Sequence, residues 1–257
     1  MTIFPIARST FNEAIRHRIL MVLLFFAVAM IGASFAFSSF ISTESKLVKD
    51  MGLSAIQLFG VVISLVMAIG MIPAEIDRRT IYTILSKPVS RRQYVLGKFL
   101  GAIYTIGFNT LIMSVVFLAA IFFKDHTLDL ILLESIWLWF LEFMLLMAIA
   151  LCLSTLVSPL VNAFLCIGVL ILGNLTSYVQ YLKTFQTGGE LVVSVTKGVL
   201  QWIYNLIPNF QNYDVSQVVS KGQTVTPYYI GEMTVWTLMY VAFLLLMTVQ
   251  FFSTKEV

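Results

Sequence analysis

The sequence predicts an all-α membrane protein with six transmembrane helices, and three observations predict it. Hydrophobic residues make up 59% of the chain and charged residues only 11%, against about 45–50% and about 25% in soluble domains. Mean hydropathy is +0.93. Six stretches stay apolar for the roughly 20 residues that a bilayer core about 30 Å thick demands at 1.5 Å per residue. The remaining charges fall mostly between those stretches, with every arginine on one side of the predicted bundle.

Residues 3–18 come before the first span. Phe4, Ala7, Phe11 and Ile15 lie near one helical face, with Arg8, Glu13 and Arg16 elsewhere. That pattern predicts an interfacial (elbow) helix lying in the inner membrane surface. The first span, about 19–41, is longer than the apolar core of a signal peptide, which runs about 7–15 residues, so it reads as a membrane helix. The other spans are about 53–74, 97–123, 132–157, 160–182 and 229–253. Ser90-Arg91-Arg92-Gln93 fits a capping box, so the helix of the third span starts about two turns before the lipid. Ser158-Pro159 and Thr226-Pro227 supply an N-cap and first helical residue for the last two spans. Residues 183–228 form an external segment. Within it Leu191, Val195, Val199, Trp202, Ile203 and Leu206 recur at helical spacing opposite Lys197, Gln201 and Asn205. This reads as an amphipathic helix at the outer leaflet, anchored by Trp202 and Tyr204, or as a cap over the bundle. The whole chain, 1–257, is one transmembrane domain without internal repeats.

Six spans place both termini on one side. With the N-terminus cytoplasmic, the inside holds Arg8, Arg16, Arg18, Arg78, Arg79, Lys87, Arg91, Arg92, Lys98 and Lys255. The outside holds Lys46, Lys49, Lys124, Lys183, Lys197 and Lys221. The bias predicts a multi-pass membrane protein with cytoplasmic termini. Dispersed among membrane-flanking loops, these cations do not point to nucleic acid.

Enzyme chemistry finds no support. No H-E-x-x-H, G-x-S-x-G or P-loop is present, and the only Gly-Lys pair, Gly97-Lys98, lacks the rest of the motif. His17 and His126 fall on opposite sides of the predicted membrane, and Cys152 and Cys166 are small apolar residues within spans. No metal site is expected, and the twelve methionines are scattered packing residues. The chain is expected to hydrolyse no ATP itself.

Polar residues inside the spans are the alternatives. Glu142 lies well within the fourth span, where a charge costs about 2.5–3.5 kcal/mol on insertion scales. It is either part of a substrate path or gate, or a protonated, hydrogen-bonded structural group. Asn109, Asn162 and Asn174 are weaker candidates, cheaper to bury and able to glue helices together, and Asn109 and Asn174 join Glu142 as lesser members of the path or gate.

Six of the sixteen basic residues crowd into residues 73–101, from the end of the second span to the start of the third. Glu75 and Asp77 close the second span, and Arg78-Arg79-Thr80 follow. Ile81, Ile84 and Leu85 then form a short apolar face, Lys87-Pro88 breaks that helix, and Ser90 starts the next. The segment 75–96 is either a solvated basic loop or a docking element for a soluble partner; its apolar face favours docking.

Glu75, Thr80, Leu85-Ser86-Lys87-Pro88, Ser90-Arg91 and Leu96-Gly97-Lys98 resemble the signature of ABC-2 type permeases, particularly the NosY-like group. The likeness extends to the elbow helix, the six spans, the long outer segment and the Ile207-Pro208-Asn209-Phe210 turn. Arg79 departs from the pattern, standing where the family often has glycine. The resemblance implies an ABC-2 (type V) exporter-like fold and a half-transporter. Two copies would pair, each docked on a separate ATP-binding subunit that holds ATP and Mg. It also implies that 75–96 is the coupling helix, with Glu75, Asp77, Arg78, Arg79, Thr80, Pro88, Ser90 and Arg91 coupling to the ATPase. The cargo could be a lipid, glycan, drug or a sulfur or copper species, with a periplasmic partner at 183–228. Two other readings stay open: an ATP-independent secondary transporter using Glu142, and a mechanotransmission subunit that moves nothing across.

Overall fold

The structure, a computed structural model, describes residues 3–40, 46–71, 90–126, 129–175, 208–216 and 225–254. Most of the predicted coupling segment, with Glu75, Asp77, Arg78, Arg79, Thr80 and Pro88, lies outside them. So does the predicted amphipathic helix over 191–206.

The described residues are helical. In chain order they form α1 (Ile3–Ile15), α2 (Arg18–Phe40), α3 (Lys46–Gly70), α4 (Arg91–Asp125), α5 (Leu130–Ser154), α6 (Pro159–Asn174), a 3-10 turn (Phe210–Tyr213) and α7 (Pro227–Thr254). Five of these, α2, α3, α4, α5 and α7, are long and apolar enough to cross a membrane. The sixth apolar helix, α6, has 16 described residues, about 24 Å at 1.5 Å each.

The sequence of α5 explains its place. It is hydrophobic on every side, and a helix without a polar stripe belongs at a bundle's centre. Every residue from Leu141 to Cys152 is buried. Helices α3, α4, α6 and α7 pack around it, and α2 lies outside against α3 and α4. The apolar surface of α2, α6 and α7 is turned outward: Phe25, Phe26, Phe164, Met239 and Leu246 are all exposed. Water would not tolerate that belt, and lipid matches it.

Helix α1 rests on α4 through glycines. A Cβ at Gly97 would lie 2.8 Å from the Ile6 side chain, and one at Gly101 would lie 2.7 Å from the Ala7 carbonyl. The Gly-x-x-x-Gly spacing thus lets two backbones approach closely. Ala7, Thr10 and Ala14 form the buried face. This differs from the predicted apolar face, since Phe4 is 67% exposed. A tight glycine seam accepts only small side chains, so the aromatic ones turn away.

Helix α3 begins at Lys46, about two turns before the predicted span. Its Lys49 bonds Asp129 at 2.7 Å and lies 3.8 Å from Asp125, so charges that read as loop instead join three helix ends. At the opposite end Ser90 forms the predicted capping box: its hydroxyl accepts from the Gln93 amide at 3.3 Å and Gln93 Oε1 accepts from the Ser90 amide at 3.2 Å. Most buried hydroxyls are met locally, Ser38 and Thr110 being exceptions among the described residues. Thr105, Ser114, Thr237 and Thr248 each donate to the carbonyl four residues back in their own helix. Asn162 works between helices, donating to the Ala150 carbonyl at 3.0 Å and tying α6 to α5. Of the three asparagines expected to be able to glue helices, this one does so, while Asn109 and Asn174 bond carbonyls of their own helices.

Gly101→Ala is expected to destabilise the detergent-purified protein by about 1–3 kcal/mol, the usual cost of overpacking. Gly32→Ala, with nothing within 4 Å of the added carbon, should leave the thermal unfolding midpoint unchanged.

Candidate functional site

Glu142 stands on the central helix, 1% exposed. Burial there follows from its neighbours in sequence, which are apolar on every side. Gln57 of α3 shares a side-chain hydrogen bond with it. Its Oε2 has no hydrogen-bond partner among the described residues, and neither does Nε1 of Trp139, one turn earlier on α5. A buried polar atom left unmet costs about 1–3 kcal/mol. Two of them on neighbouring turns of the most enclosed helix mark this as the bundle's least satisfied region.

The chain after α6 returns to this region. Asn209 caps the 3-10 turn, its Oδ1 accepting from the Gln211 amide at 3.1 Å. Phe210 and Tyr213 are fully buried. Phe210 fills a notch that exists because residue 173 is glycine, since a Cβ there would lie 2.3 Å from the ring. The Tyr213 hydroxyl lies 2.7 Å from Thr237 Oγ1 on α7. Burial, opposed by that bond and reinforced by the nearby Glu142 carboxylate, pushes the Tyr213 phenol up to about 12. It therefore stays a neutral hydroxyl. Tyr229 adds a second tie, donating to the Asn212 carbonyl at 2.6 Å. Asp214, the next residue, also acts electrostatically on Glu142.

The polar residues singled out from the sequence therefore differ in kind. Glu142 keeps an unmet oxygen among the described residues. Asn109 is buried on α4, its amide donating to the Thr105 carbonyl at 2.8 Å. Asn174, half-buried at the end of α6, donates to the Leu170 carbonyl at 3.0 Å. Among the described residues no hydrogen bond or ion pair joins the three, although Asn174 follows the glycine that receives Phe210. Sequence reasoning missed Gln57, Tyr213 and Thr237. Gln57 carried a signal, as a polar side chain within an apolar run. Tyr213 and Thr237 carried none, because only the fold brings a loop tyrosine to a span threonine.

Of the predicted coupling residues, Ser90 and Arg91 are described. Arg91 Nη1 donates to the Phe252 and Ser253 carbonyls at 2.7 and 3.0 Å. Its guanidinium also lies 5.7 Å from the centre of the Phe252 ring, which stacks on Tyr94. Cations suit the carbonyl end of a helix, so Arg91 caps the C-terminal end of α7. Among the described residues, no three His, Cys, Asp or Glu side chains come together as a metal site would need.

Tyr213→Phe should lower stability by about 1 kcal/mol through the lost hydrogen bond. Arg91→Ala should cost about 1 kcal/mol, the low end for charge-assisted bonds because the site is partly exposed. Thermal unfolding in detergent reads both.

A search among curated proteins finds no match. A family described as ABC-2 family transporter protein matches residues 4–257, nearly the whole chain. That match and the five membrane-length helices agree, and this multi-pass membrane protein belongs to the ABC-2 transporter family.

Proposed function

We propose that the chain is the membrane-spanning permease subunit of an ATP-driven exporter. Two copies pair in the bacterial inner membrane with cytoplasmic termini. Each docks on a separate ATP-binding subunit, the kind of partner the family implies, where ATP and Mg are bound and hydrolysed. The subunit contributes no catalytic residue of its own. Its NosY-like signature makes a sulfur or copper species one cargo to test beside lipids, glycans and drugs.

The observation that carries this reading is α4. It is a single helix of 35 residues opening on the capped Ser90, about 52 Å long at 1.5 Å per residue. The segment before it holds Glu75, Asp77, Arg78, Arg79, Thr80 and Pro88, which serve as the grip for the ATPase. A push delivered at Ser90 travels along a rigid element without a hinge, as switching by helix displacement requires. Arg91, expected among the coupling residues, is also engaged by α7. It keeps the rod's first turn attached to the bundle.

The cargo path or gate in this reading runs past Glu142, with Gln57 and Tyr213 beside it and Asn109 and Asn174 as lesser polar positions. A passing polar cargo supplies the partner that the carboxyl oxygen otherwise has to find. The segment 183–228 is where a periplasmic partner docks.

The double charge reversal Arg78→Glu, Arg79→Glu should reduce co-purification with the ATP-binding subunit by about tenfold or more, since like-charge contacts cost several kcal/mol at an interface. Thermal stability should stay near that of the parent. Undiminished assembly would overturn the docking assignment. Glu142→Ala should keep assembly but lose most cargo-stimulated ATP hydrolysis, measured in proteoliposomes against each cargo class.

A further inference from the structure

The outer face of α1, opposite its glycine seam, is not bare. Phe4, Arg8, Phe11 and Asn12 of α1 and Tyr104 and Phe108 of α4 line a groove of about 660 Å³. Phe11 meets Phe108 edge-on at 6.0 Å. Four aromatic rings thus surround one guanidinium and one amide. Arg8 is exposed and makes no hydrogen bond or ion pair among the described residues.

Depth decides what fills this groove. The run from Phe99 to Phe123 on α4 carries no charge, so the hydrocarbon begins no earlier than Phe99. Tyr104 lies five residues beyond, about 7 Å at 1.5 Å per residue. Arg8 shares the groove with Tyr104, which puts its stem among acyl chains and its head near the depth of lipid phosphates. A cation at that level, facing outward from the bundle, needs a counter-charge that the lipid itself can supply. Arginine offers a planar fork that pairs with phosphate oxygens two at a time. Arg16 and Arg18 follow on the same side of the sequence's charge asymmetry, and a cluster of cations favours a lipid with net negative charge.

We propose that the groove between α1 and α4 is a binding site for one anionic phospholipid. Its phosphate sits on Arg8 and Asn12, and its acyl chain lies along Tyr104 and Phe108. The site shares no residue with the proposed cargo path or ATPase grip, and it anchors α1 to the leaflet as well as to the bundle.

The test uses the full-length chain in nanodiscs of phosphatidylcholine containing a minority of phosphatidylglycerol. Lipid still bound after detergent extraction is counted by native mass spectrometry. The parent should retain phosphatidylglycerol over phosphatidylcholine, and Arg8→Gln should lower that retention about tenfold, the loss of one charge-assisted contact. Phe108→Ala should weaken it less, and Arg8→Lys should restore part of it. The variants' unfolding midpoints in phosphatidylcholine alone should equal the parent's; should Arg8→Gln unfold, Arg8→Lys and Phe108→Ala carry the comparison. Equal retention of both lipids by the parent overturns the proposal, as does full retention by Arg8→Gln. Displacement of the lipid by inorganic phosphate would instead assign a soluble-anion site. A change of oligomeric state in the variants with lipid retention unchanged would assign the groove to a second copy of the chain. Either result also overturns it.

Discussion

A polar group that leaves water inside a bilayer has to be met by the protein, because hydrocarbon offers no donor and no acceptor. Much of the architecture follows from this. Backbone groups are met by helix formation. Buried serines and threonines turn their hydroxyls back onto carbonyls of their own helices. Asn162 reaches across to α5 because a helix that passes so close exposes the Ala150 carbonyl to it. Among the described residues the rule is not fully met at Ser38 on α2, Thr110 on α4, and Trp139 and Glu142 on α5, and two of these four fall one turn apart on the helix that has protein on nearly every side.

The same constraint explains what the amino-acid order made legible. Apolar runs of span length identified the membrane helices, since length and hydropathy are local properties. The start of α4 was readable from Ser90 and Gln93 alone, because a capping box closes within four residues. That asparagines within spans can glue helices was readable, but not that Asn162 would do so and Asn109 and Asn174 would turn back on their own helices. What failed were inferences that needed a distant partner. The charges at Lys46 and Lys49 read as loop; Asp125 and Asp129, about 80 residues on, receive Lys49 at the start of a helix instead. Nor did the sequence show that the Phe252 carbonyl, from the far end of the chain, would receive Arg91. The buried face of α1 depended on Gly97 and Gly101, whose significance shows only when the two helices are seen together.

The candidate site was half legible. Glu142 was conspicuous as a carboxylate within a span. Its surroundings were not, because Tyr213 comes from a stretch that reads as external and polar. Phe210 and Tyr213 supply the burial that folds this stretch inward, and the glycine at 173 gives the ring its room. A segment that looks like a connection between helices therefore belongs to the interior, and it brings its polar groups with it.

Helix α7 joins the two ends of the molecule. Near one end Tyr229 holds the Asn212 carbonyl, ten residues into the helix Thr237 holds the Tyr213 hydroxyl, and at the other end the Phe252 and Ser253 carbonyls hold Arg91, about 22 Å beyond Thr237 along the helix axis. A strut pinned at both ends transmits displacement with little slack. Rotation of the first turn of α4 would tug on the threonine beneath the tyrosine, so one face of the membrane could sense mechanical work performed at the other without any diffusing messenger.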